Sequence, residues 1–130
     1  MTLPPCFPDP LQVRYVATMG DSRVFQLSHY FRYISSWGII TVPTGFQTDG
    51  ASVPRIFWSI FQPYGKYFPA AIIHDYLYSR HSNKLGIDRK TADLIFKEAM
   101  FNLGIGWVTR ETIYRAVRLG GGIPWKREKS

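Results

Sequence analysis

A single cysteine, Cys6, in 130 residues excludes an intramolecular disulfide and any cysteine-rich zinc site. Stability must then come from packing, and a reducing compartment is acceptable. Charge is scarce as well: Asp, Glu, Lys and Arg make up 19% of the chain, and only nine of these residues are acids. No apolar run approaches the roughly 18 residues that cross a bilayer, so no transmembrane segment is expected. The N-terminus, MTLPPCFPDP, has no basic lead and carries four prolines, so it reads as lacking a signal peptide. Internal repeats and low-complexity linkers are absent from the sequence, and so is any recognition-helix, zinc-finger or RNA-binding signature.

What is present is hydrocarbon. Hydrophobic residues reach 45% and aromatics 16%, enough for one compact domain with a core and too much for a disordered chain. The sixteen Lys and Arg give a net charge of +7, concentrated late: from Arg80 onward eleven cations face five acids. Basic surface of this kind suits an anionic partner such as phospholipid headgroups or cell-wall polymer. Nucleic acid is the disfavoured partner, because no nucleic-acid motif accompanies the charge.

The chain changes character near residue 52. Before it, β-branched and aromatic runs at Val13–Ala17, Val24–Leu27, Phe31–Ile34 and Gly38–Val42 alternate with turn formers, the pattern of an antiparallel β-meander. After it the pattern turns helical. Ser52 can cap a short helix with Pro54 in its first turn. A second helix starts near Pro69, and a third begins at Asp88 with Ala92, Ile95, Phe96, Ala99, Met100 and Leu103 on one face. A fourth runs from Thr109 to the glycines at 120–122. The expectation is an α+β domain with three to four helices packed on one sheet face. Residues 1–51 are mainly strands, 52–122 mainly helical and 123–130 a basic tail.

The stretch PAAIIHDYLY carries the chemistry. His74 and Asp75 lie in a helix otherwise made of Ala70, Ala71, Ile72, Ile73 and Leu77, where burying them unpaired costs several kcal/mol. Residues four apart share a helix face, so His74 and Tyr78 align while Asp75 points about 100° away. A buried imidazole needs an acceptor to fix its tautomer. Asp93, set in the apolar run ADLIF, is the candidate, and a histidine held by a buried acid is a general-base unit. In the preceding loop FQTDGASVPR, Asp49 could join Asp75 as an oxygen ligand for a hard cation, while Ser52, Arg55 and the later Lys66 are candidate substrate contacts. Asp49 as a turn former and Ser52 as a helix cap are the plainer alternatives. His29 and His81 stand apart from other metal-ligand types at any useful spacing.

Two resemblances attach to these residues. The ordered segments TDGASVPRIFW, PYGKY, AAIIHDYLY, RKTADLIF and YRAVRLGG resemble a family of uncharacterised proteins found mainly in bacteriophages and prophages, over about Val24 to Gly121. That resemblance implies a phage source and a location in the host cytoplasm or the virion. The helix AAIIHDYLY also resembles the active-site helix of the secretory phospholipases, whose pattern is CC-x-x-HD-x-CY. Ala70, Ala71 and Leu77 stand where that pattern has cysteines, and Gly65 alone stands where its glycine-rich loop precedes the helix. The resemblance implies that His74 activates water, Asp75 ligates calcium or another divalent cation, and Asp93 and Tyr78 hold the histidine. The leading expectation is a phage-encoded hydrolase cleaving an ester or amide of the host envelope. The alternative is a non-enzymatic virion protein, a tail or baseplate component partnered by other virion proteins, in which the same residues form a structural polar network.

Overall fold

The computed structural model describes residues 3–19, 22–48 and 66–129. Its N-terminal part consists of strands: β1 (Val13–Met19), β2 (Ser22–Leu27), β3 (Phe31–Ser35), β4 (Gly38–Val42) and β5 (Gln47–Thr48). The helices follow: α1 (Phe68–Tyr78), a 3₁₀ turn (Arg80–Leu85), α2 (Arg89–Asn102), α3 (Trp107–Gly120) and α4 (Gly122–Lys129). The α+β expectation is borne out, with strands first and helices second.

The strands divide between two sheets, one of order β1-β2-β5 and a hairpin β3-β4, all antiparallel. The hairpin turns at Ser36–Trp37, and Gly38 takes a φ of 121° that a side chain would resist. Its register places Phe31 opposite Val42 and Tyr33 opposite Ile40, all buried, while Ile34 and Ile39 face outward as a pair. That alternation is the period-2 signature that made these runs legible as strands. The two-residue β5 pairs with the end of β2, and it brings Thr48 to the helices.

All eleven residues of α1 are buried, so this helix is the centre of the molecule. It packs on β4, β5 and α2, with Ile72, Ile73 and Leu77 meeting Ile95, Phe96 and Met100 in one core. The Asp88 carboxylate caps α2 by accepting from the Thr91 backbone N–H at 2.8 Å. Leu103 closes α2 beside Gly104, whose φ of 80° is the left-handed conformation that ends a helix. Lys66, just before α1, donates to the Gly104 carbonyl, while the far end of α1 meets Asp93 near the start of α2. The two helices are therefore antiparallel. Residues 122–129, read from sequence as part of a glycine stop and a basic tail, form α4. The short helix expected from Ser52 lies outside the described residues.

Candidate active site

The antiparallel packing of α1 on α2 places an acid against His74. His74 Nε2 lies 2.8 Å from Asp93 Oδ1, and both side chains are wholly buried. The Tyr78 hydroxyl, one turn beyond His74, donates to the same oxygen at 2.6 Å. The other oxygen, Oδ2, accepts from Arg118 Nη1 on α3 at 2.7 Å, with Arg89 Nη1 at 3.8 Å. Burial works to raise the Asp93 pKa, but the bonds from His74, Tyr78 and Arg118 outweigh it and hold the carboxyl below its usual range. An ionised Asp93 can only accept, so Nε2 of His74 carries a proton and donates it. The Tyr78 phenol moves the other way: burial first, then its bond to the Asp93 carboxylate, push its pKa well above the ordinary value and keep it protonated.

Aromatic packing fixes the imidazole. Phe96 stacks on it with centroids 4.3 Å apart, and Tyr78 lies at 4.3 Å on a tilted plane. Trp125 of α4 packs edge-on against Tyr78 at 5.0 Å. Gly121 makes that approach possible, since a Cβ there would stand 2.6 Å from the Tyr78 hydroxyl and 3.2 Å from Arg89 Nη1.

Asp75 points elsewhere, as its place around the helix requires. Its carboxylate accepts from the Thr48 hydroxyl of β5 and faces a cavity of about 480 Å³ between the Pro43–Gln47 segment and the C-terminal end of α1. Tyr78, His81 and Glu128 border the same cavity, whereas His74 is fully buried and does not line it.

Of the residues singled out from sequence, His74, Asp93 and Tyr78 converge, and Asp75 adjoins them through the cavity. Lys66 does not join them: it holds the Gly104 carbonyl at 3.1 Å, at the opposite end of α1. Asp49, Ser52 and Arg55 lie outside the described residues. Arg118, Arg89 and Thr48 were not anticipated. Arg118 had a faint signal, a cation beside the buried Val117 position, while Thr48 had none. The calcium expectation requires a shell of oxygen ligands. Among the described residues no group of three or more His, Cys, Asp or Glu is arranged to hold a metal ion. Asp49, the other expected ligand, lies outside the described residues, and no chemistry is derived through a cation.

No solved structure matches the chain. "Uncharacterized protein y4jT" of Sinorhizobium fredii (strain NBRC 101917 / NGR234) is 46% identical over 56 residues, which is 41% of this chain and 17% of that relative. The chain thus spans about a sixth of the curated relative it matches. Residues 25–117, from β2 through most of α3, match the family model described as "Protein of unknown function (DUF1353)". That span holds His74, Asp75, Tyr78, Arg89 and Asp93 and covers most of the chain, which therefore belongs to the DUF1353 family.

Proposed function

We propose that this protein is a small phage-encoded hydrolase in which His74, oriented by Asp93, activates water against an ester or amide of the host envelope. The observation that carries the reading is the triple hydrogen bonding of one buried, ionised carboxylate by His74, Tyr78 and Arg118. This arrangement fixes the tautomer and the ring plane of a histidine in advance, which general-base catalysis requires. The water oxygen adds to the carbonyl carbon as the imidazole takes its proton, and the imidazolium returns that proton to the departing alkoxide or amine. Asp93 stabilises the imidazolium without itself becoming protonated. Asp75, at the cavity wall beside Tyr78, positions the substrate. The phage origin rests on the motif resemblance, and the lipid-type substrate on the likeness of the HDYLY helix to the phospholipase helix.

The test is hydrolysis of phospholipid and simpler ester substrates by wild type, His74→Gln and Asp75→Asn. His74→Gln should lower the rate about 10²–10⁴-fold, because Gln can still donate to Asp93 but cannot take a proton. Both variants should keep thermal midpoints close to wild type.

The zero exposure of His74 favours a second reading, a virion component in which the same network specifies the fold. Unfolding of both variants, or unchanged hydrolysis in both, would select that reading.

A further inference from the structure

Helices α3 and α4 turn hydrocarbon outward. Gly121 N–H bonds the Val117 carbonyl at 2.8 Å and Trp125 N–H bonds the Gly121 carbonyl at 3.0 Å. Gly121 lies between the two helices, as the C-cap of α3 and the residue before α4. On the inner side of α3, Ile113 and Val117 are buried, as is Gly121. The outer side of α3 presents Val108, Thr112, Arg115 and Leu119, and α4 adds Ile123 and Lys126, every one exposed. The four α3 residues, spaced four, three and four, lie within about 60° of arc over about 16 Å. Trp107 and Arg127 flank the stripe and are exposed as well.

The apolar members are the most exposed large hydrophobic residues among those described: Val108 is 69% exposed, Ile123 76% and Leu119 90%. Among the described residues of these two helices the acids are Glu111, paired with Lys97 at 2.7 Å, and Glu128, paired with Arg127 at 3.6 Å.

We propose that this face is the surface by which the protein lies on an anionic phospholipid bilayer, with α3 lying parallel to the membrane. A second copy of the chain docked by symmetry on this face would gather Arg115 and Lys126 of both copies into one interface. Duplex nucleic acid would satisfy the cations but leave Leu119 and Ile123 in water. A bilayer interface satisfies both groups, taking the aliphatic side chains among the acyl chains and the cations among the phosphates. Glu128 of α4 borders the cavity beside Asp75, so the docking helix and the candidate site share a wall. The inference rests on the hydrolase reading for what the docked protein does, but not for the docking itself.

The test is sedimentation of the full chain with phosphatidylcholine vesicles and with vesicles containing phosphatidylglycerol, at low and physiological salt. Wild type should partition onto the anionic vesicles, less so as salt rises. The double variant Leu119→Glu/Ile123→Glu should lose binding at least tenfold with an unchanged circular dichroism spectrum. Arg115→Gln/Lys126→Gln should lose about tenfold or more. His74→Gln should bind like wild type, so failed hydrolysis and failed docking are read separately. Absence of vesicle binding, equal binding by the Leu119/Ile123 variant, or binding to duplex DNA without binding to vesicles each overturns the proposal.

Discussion

The inner face of α1 and the outer face of α3–α4 invert the usual placement of residues. In the first, a carboxylate, an imidazole, a phenol and a guanidinium share a site with no exposure at His74 or Asp93. In the second, Leu119 and Ile123 stand almost fully in water. The polar cluster is tolerated because its members satisfy one another: among the described residues no buried side-chain polar atom lacks a partner. The outer stripe instead leaves Val108, Leu119 and Ile123 exposed. Folding accounts for neither placement. The inner cluster could be replaced by packed hydrocarbon at little cost, and the outer stripe could be made polar at less.

The largest expected effect comes from breaking the inner cluster at its hub. Asp93→Leu leaves His74, Tyr78 and Arg118 without their shared acceptor, and loss of one partner from a buried charge pair costs about 3–5 kcal/mol. Urea denaturation measures it. A loss below about 1 kcal/mol would mean that the three donors find other partners and that the network is not a unit.

Gly121→Ala probes the join between the two regions. The added methyl would press on the Tyr78 hydroxyl and on Arg89, and it would meet the Val117 carbonyl. Overpacking of this kind costs about 1–3 kcal/mol. Loosening of the Trp125–Tyr78 contact should appear as a change in tryptophan fluorescence, and an unaltered spectrum and stability would show that α4 is not seated on the site.

How much of this was legible follows from sequence distance. His74, Asp93 and Tyr78 could be read because each breaks an apolar helical pattern, and the helix period fixes which side chains align. The strand runs were legible through their alternation, and Gly38–Val42 matches β4 at both ends. Arg118 and Thr48 were not legible. They reach the site from α3 and from β5 across 25 and 27 residues, and no local periodicity encodes such a meeting. The short β5 gave no strand signal either, since two residues cannot show alternation. After Gly121 the tail forms a helix of its own, and the missing side chain at Gly121 lets α4 approach Tyr78.

A titration sharpens the contrast in sign. The folded Asp93 carboxyl lies below its usual range, so its contribution is complete above the unfolded value of about 3.9 and is lost as pH falls through the folded one. Stability should therefore drop below about pH 4, more gently in Asp93→Asn than in wild type. Asp9, held low by its hydrogen bonds with Arg32, acts in the same direction, and Asp9→Asn serves as the control. Parallel curves for wild type and Asp93→Asn would remove Asp93 from the acid transition.

The smallest effect belongs to the outer stripe, and its smallness is the point. Leu119→Ser and Ile123→Ser remove side chains that are 90% and 76% exposed, and surface changes of this kind stay within about 0.5 kcal/mol. If either substitution costs more than about 1 kcal/mol in urea denaturation, the side chain is packed in solution, and the contrast between the faces shrinks to an ordinary core with an ordinary surface. If both are neutral, the chain keeps these aliphatic side chains on the outside of α3 and α4 for no benefit to its fold. Their use must then lie outside the molecule, against a surface that the folded chain does not itself supply.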